Sequence, residues 1–456
     1  MRLRRTSARP FGLALIVGVS AAGMLALSPG AVAQTPPAVT FARDIAPILQ
    51  RSCQNCHNPD GGAPMSLVTY EEVRPWARAV KIRTAAREMP PWFVEPHIGI
   101  QKFKDDPRLS DQEIEKIAAW VDGGAPLGNP ADLPPPRKFV SSRDWSIGTP
   151  DLVVSSPAFT VKAVDPDWHA QIGPVPSGLT EDRYVKAVEV KEVWLTPDGG
   201  KDFRYNKAVI HHAGVHTGPP DVLEKGAAPI QGLGGGQLRI TYEVGQNAQI
   251  YPDNAAVIVK AGAVVLFSMH THSNGKETPA RVDVGFKFHP KGFTPKYTQS
   301  GFELLGQVSD ELEIPPGQDG VRFDGFYRFQ RPAILVTYEP HMHSSGKRMC
   351  MDFVYPDGRR EMVNCSAYNH NWVRRYTYED DAAPLIPAGT VMHLIGWYNN
   401  SASNRLNVEP RNWKVYGNRT IEDMFHLLPK VTWLTEAQYR EELAAREAAA
   451  LKSTAP

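Results

Sequence analysis

The stretch His341-Met342-His343-Ser344-Ser345-Gly346-Lys347 carries the strongest chemical signal in this 456-residue chain. Two histidines two apart on a strand present both imidazoles on one face. That is how a β-rich fold offers two nitrogen ligands to one metal. The pattern recurs earlier as His270-Thr271-His272-Ser273-Asn274-Gly275-Lys276, and a His-His pair, His211-His212, precedes both. Imidazole suits zinc, copper, iron or nickel, so the histidines alone do not choose the metal. Neighbours on a regular strand point to opposite faces. His211 and His212 therefore reach one ion only at a strand end or a bulge, which Gly214 permits.

A second chemical signal is Cys53-Gln54-Asn55-Cys56-His57, the C-x-x-C-H attachment signature of c-type haem. Two thioethers would fix the porphyrin covalently, and His57 would supply the proximal ligand. For the sixth ligand, Met89 in Met89-Pro90-Pro91-Trp92 is favoured over Met65; core packing is the plain alternative for either.

The elements that must position these groups fall into three kinds. Around the haem motif, Phe41 to Leu49 predicts a short helix. Ser110 to Val121 predicts another, with Ser110 and Glu113 as a capping box and Ile114, Ile117 and Trp120 on one face. This pattern is similar to a small all-α cytochrome c domain over 34–128. A Pro-rich linker follows over 129–145. Beyond it, short alternating runs such as Tyr184 to Val190, Val264 to His270 and Val391 to Tyr398 alternate with turn signals, the rhythm of antiparallel β-sandwiches. The repeated H-x-H-S-x-G-K predicts two related β-domains, 146–298 and 299–430, joined near residues 290 to 305. A closing helix occupies 431–456, capped by Thr435 and Gln438.

Arg2, Arg4 and Arg5, the apolar run Phe11 to Leu27 and Ala31-Val32-Ala33 predict a signal peptide over 1–33; an uncleaved anchor is the alternative. No second apolar run reaches membrane-spanning length, so a periplasmic or secreted protein without stable membrane insertion is expected. A net charge of +1 gives no reason to expect nucleic acid as a partner. Outside the haem motif there are two cysteines, Cys350 and Cys365. A two-residue turn at Asp357-Gly358 would set them opposite each other, and a disulfide is expected in an oxidising compartment.

The segment Ile421-Glu422-Asp423-Met424 adds a thioether. Together with His211-His212, the His270 segment and His341-Met342-His343 followed by Gly346, it resembles the copper type II, ascorbate-dependent monooxygenases of the peptidylglycine α-hydroxylating and dopamine β-monooxygenase type. The resemblance spans roughly residues 145 to 430. It implies two jelly-roll domains, each holding one copper: His211, His212 and His270 the electron-transfer copper, His341, His343 and Met424 the catalytic one. A thioether beside two imidazoles favours Cu(I). The reaction implied inserts one atom of O2 into a substrate C–H bond and reduces the other to water. The fused haem would replace free ascorbate and feed the His211/His212/His270 copper. The partners are then O2, a small-molecule or peptide substrate, and a reductant or electron-donor protein. The chain departs from the family in its few disulfides and in Ala213-Gly214-Val215-His216. His216 and His272 also stand near His270, leaving the third ligand of the first copper open among them. No substrate-binding residue matches. His97, His169, His289, His370, His393 and His426 lack partners at ligand spacing and read as surface or core residues. The alternative function is a haem and copper electron-transfer or copper-binding protein without turnover.

Overall fold

A computed structural model of the chain describes residues 38–453, apart from 142, 167, 199, 201–207, 220–237, 244–247, 253 and 301–302. The expected signal peptide therefore lies outside the described residues, and Val39–Pro456 form one compact unit. Among the described residues no helix is long and apolar enough to cross a membrane.

Helices are few and short. A π-helical turn, Phe41–Ile45, runs into Ala46–Ser52; Tyr70–Val73, Ala77–Ala85 and Asp111–Asp122 follow, and Glu436–Ser453 closes the chain. The Ser110 box forms in both halves: Glu113 N donates to Ser110 Oγ, and Ser110 N donates to the Glu113 carboxylate. Ile117 and Trp120 then bury against Phe41, Ile45 and Leu49.

An all-α cytochrome c domain ahead of two separate jelly rolls is not what this chain forms. The molecule is mostly β and sandwich-like. Between Ala86 and Leu109 the chain carries Pro90, Pro91, Pro96 and Pro107 and makes no helix. Proline lacks the N–H that a helix needs and clashes with the preceding turn. This stretch crosses onto the β part instead, with Val94 bridging to Ser366 and Phe103 to Tyr378. Val94 and Phe103 share one core with Phe353, Tyr376 and Leu394.

The β part is also more continuous than two tandem sandwiches. One sheet runs through both halves in the order Leu152–Ser155, Thr278–Phe288, Arg183–Trp194, Ala255–Val259, Tyr297–Gln299, Val431–Trp433, Ala333–Leu335, Leu385–Ile386. The region where the sequence suggests a junction supplies Tyr297–Gln299. That strand pairs parallel with Ala255–Val259 and antiparallel with Val431–Trp433, stitching the halves together. A four-stranded sheet, Trp168–Pro176, Val264–Thr271, Ile210–Gly218 and Arg239–Glu243, packs with the first half through Val188, Phe267, Met269 and Phe286. Another, Asp319–Arg328, Val391–Asn399, Gly346–Val354 and Arg360–Ala367, packs with the second through Leu335, Phe353, Leu394 and Val431. Fully burying each such side chain contributes about 1.5–3 kcal/mol, so the two sandwiches are where most stabilisation resides.

Cys350 and Cys365 are directly opposed and disulfide-bonded. The turn differs from the one expected. Tyr355 N donates to Arg359 O, and Gly358 takes φ 85°, so the loop is Pro356-Asp357-Gly358, one residue longer than a two-residue turn. A bulge between Met351 and Asp352 then shifts the register back by one. The two displacements cancel, and the cysteines meet.

Candidate metal centres

The His341 group is built where two short strands meet. Pro340–His341 pairs antiparallel with His426–Leu427, with His341 opposite His426. Their rings stack nearly parallel, 5.0 Å between centroids and 8° between planes. His343 lies 5.6 Å from His341 and 5.7 Å from His370, centroid to centroid. Met342, between the two expected ligands, is fully buried in the second core, as strand alternation requires. The close approach behind it needs Gly346, where a Cβ would fall 2.5 Å from Met342 Cβ.

Asp423 holds this group together. Its carboxylate is fully buried. One oxygen accepts both His343 N, at 2.7 Å, and Met424 N, at 2.9 Å. The other accepts Ser345 N at 3.0 Å and the Ser345 hydroxyl. The backbones of His343 and Met424 are thus fixed side by side on one carboxylate oxygen. Tyr398 donates to Met424 O at 2.6 Å, and Lys414 Nζ reaches Ser344 Oγ at 3.2 Å. Burial lowers the Lys414 pKa, while the Asp423 charge opposes that. The His343 ring sits with Nδ1 3.1 Å from Arg419 O and 3.2 Å from Glu422 O. These carbonyls call for a proton on Nδ1 and leave the Nε2 lone pair for a ligand. Burial pushes the His343 pKa down against the opposing Asp423 charge, which keeps the imidazole in its neutral, metal-ligating form.

The first group is a cross-strand pair. His212 and His270 are register partners, with ring centroids 4.1 Å apart. The register shifts between Ile210 and His212, so His211 is the extra residue of a bulge. The His211 side chain lies outside the described residues. Upstream, the buried Glu192 carboxylate accepts Val209 N at 2.9 Å, Ile210 N at 3.0 Å and Trp194 Nε1 at 2.6 Å. It pins the strand just before the bulge. Burial pushes Glu192 up to about 7. His216 is buried further along the same strand, and His272 N donates to Val209 O. Among the described residues no three or more His, Cys, Asp or Glu side chains form a metal cage. The expected sets are a histidine pair beside His211, and two histidines with a thioether.

At the haem motif, His57 N donates to Cys53 O within one turn, and His57 Nδ1 is 3.1 Å from Met65 O. That contact orients the ring with Nε2 available to iron. Burial lowers the His57 pKa, favouring the neutral imidazole. Cys56 N also donates to Cys53 O at 3.2 Å, so both cysteines sit on the turn that carries His57. A Cβ on Gly61 would fall 2.0 Å from Cys56 O, so the loop closes tightly behind the motif. The residues fit a covalent haem. The Met65 carbonyl is committed to the His57 ring, and Met89 N donates to Arg83 O.

Two histidines that read in sequence as ordinary surface or core residues, His370 and His426, stand beside His343 and His341. For His426 a signal existed: it stands two residues from Met424, the same spacing as His341 and His343. His370 carried none, because it comes from a separate turn, His370–Trp372.

No family profile matches the chain, and no curated protein does. Among solved structures it is similar to N-glycanase F (PNGase F), at 12% identity over 62% of this chain and 96% of that one, with a TM-score of 0.24. PNGF-II aligns at 9% identity over 62% and 65%, with a TM-score of 0.24. A tandem CBM22 domain from Paenibacillus barcinonensis Xyn10C aligns at 9% over 63% and 98%, with a TM-score of 0.15. Likenesses this weak carry no argument about activity.

Proposed function

We propose that this protein is an exported, copper-dependent monooxygenase that hydroxylates a C–H bond with O2 and draws its electrons through a covalent haem c. The observation that carries the reading is the Asp423 carboxylate, which ties His343 and Met424 to one oxygen atom. The backbone amides of two residues far apart in sequence, of types that can hold a redox-active copper, thus share one acceptor. Copper, when bound, would supply one-electron redox chemistry with dioxygen. His341, His343 and Met424 would hold one ion, and His211, His212 and His270 the other. The chain's own part is to keep His343 neutral, to hold its Nδ1 proton on Arg419 O and Glu422 O, and to keep the Met424 backbone in place through Tyr398. Cys53, Cys56 and His57 would hold the haem, with Met89 opposite.

A second reading needs no dioxygen chemistry at the His341 group. The protein would then be a periplasmic haem and copper electron carrier. Metal analysis and oxygen uptake separate the two. The enzyme reading expects about two coppers and one haem per chain and copper-dependent O2 uptake with some member of a panel of amines, peptides and aromatic compounds. Full metal content with no uptake across the panel favours the carrier. Absence of copper removes both.

A further inference from the structure

We propose that electrons from the haem segment enter at the His341/His343/Met424 group, by way of Trp92, Tyr376 and Tyr338. The inference rests on the haem and copper reading above and names the site that receives the electron. It differs from the order that the sequence suggests, in which the His211/His212/His270 group is filled first.

The loop that carries Met89 runs directly into the second half of the β part. Trp92, three residues on, meets Tyr376 edge to face with ring centroids 4.8 Å apart. Tyr376 is the register partner of Tyr338, and their rings stack at 6.0 Å and 26°. Tyr338 ends the strand Thr337–Tyr338, and Pro340–His341 follows it at once. Tyr376 and Tyr338 are both about fully buried, at 1% and 0% exposure. A hydrogen bond from Phe93 N to Tyr376 Oη, 3.2 Å, joins the loop to the same path.

The loop is fixed at both ends. Towards the haem motif, Arg51 donates to Arg108 O at 3.1 Å, and Arg108 binds Gln101. Towards the β part, Glu95 pairs with Arg348, Glu95 N donates to Cys365 O, and Lys104 N donates to Thr377 O. The buried core around Phe267 and Met269, beside His212 and His270, includes no described residue of 39–128. The loop from Trp92 to Lys104 therefore docks on the half of the molecule that carries His341.

The chemistry is a single electron: ferrous haem becomes ferric and Cu(II) becomes Cu(I), with no atom or proton transferred. Electron tunnelling falls off steeply across gaps, so rings in contact shorten the effective distance. Aromatic cores pack in similar ways, but a buried Trp N–H ordinarily finds a partner. The Trp92 N–H is buried without one among the described residues.

The test uses the holoprotein with copper and haem content measured first, without oxygen or substrate. The haem is reduced by a flash from photoexcited flavin, and its reoxidation is followed by haem absorbance while the Cu(II) spin signal is recorded. The phase should vanish in His343→Ala, and Trp92→Leu and Tyr376→Leu should each slow it about tenfold or more. Tyr376→Phe, which keeps the ring and the fold, should retain most of the rate. A protein that takes up no haem or no copper overturns the underlying reading and the path with it. A full complement whose phase survives His343→Ala, or is equally fast in Trp92→Leu and Tyr376→Leu, overturns the path alone. Should those leucine variants fail to fold, Glu95→Gln with Arg348→Gln loosens the same docking from its half-buried rim. An unchanged rate there, with the loop shown to be released by proteolysis, also overturns the path.

Discussion

At the scale of single residues, one carboxylate organises more of the second group than any histidine does. Asp423 satisfies His343 N, Ser345 N and Met424 N at once. Removing a buried charged acceptor from such donors costs about 2–3 kcal/mol. Asp423→Ala should lower stability by that amount in urea unfolding. It should also weaken copper at the second group by about 10–100-fold, as loss of a ligand's supporting partner does, while leaving the haem spectrum intact. Glu192 offers a pH test. Its carboxyl is pushed up to about 7 by burial, above the ordinary carboxylate value near 4.5. Between those values the folded protein holds a proton that the unfolded chain has lost. Stability from this group therefore falls as pH rises from about 4.5 to about 7, by about 3 kcal/mol in all, and is flat beyond. Glu192→Gln should remove that slope, measured as urea midpoints at several pH values. The nearness of His341 to His343 was legible in sequence because their spacing carries it, whereas Met424 entered through the family resemblance. Asp423 was visible only as Met424's neighbour, since its partners lie far away in the chain.

At the scale of elements, the hairpin at Cys350 and Cys365 illustrates how a local rule can reach the right contact by a different route. A two-residue turn predicts the pairing. The chain uses a three-residue loop and a bulge that restores the register. Gly358 makes that loop possible, at φ 85° with no atom near its Cβ position. Gly358→Ala should cost about 1–2 kcal/mol from backbone strain alone. Replacing both cysteines by serine should cost about 3 kcal/mol, the value for a cross-linked loop of this size, read by urea unfolding with copper and haem content unchanged. The Ser110 and Thr435 caps were legible because a capping box is a four-residue pattern. A bulge or strand end was expected at the adjacent histidines, and the register shift falls between Ile210 and His212. The Pro-interrupted stretch 86–109 was not legible as a docking element. Nothing local says that Val94 bridges Ser366 or that Trp92 meets Tyr376.

At the scale of the whole molecule, the repeated H-x-H-S-x-G-K predicted two β-domains but not the sheet that runs through both. The pairing of Tyr297–Gln299 with Val431–Trp433 is set by residues more than a hundred positions apart, beyond the reach of any window of sequence. The same holds for the all-α domain expected at the front, where the haem motif and capped helix are present and the loop between them belongs to the β core. The central claim is that haem and copper act together on dioxygen. It is tested most directly by reducing the haem of the copper-loaded protein, mixing it with oxygen and a substrate panel, and timing haem reoxidation with and without copper. The account predicts fast reoxidation that requires copper and is suppressed by Met424→Leu without change in the haem spectrum. Reoxidation at the same rate in copper-free and copper-loaded protein would contradict it.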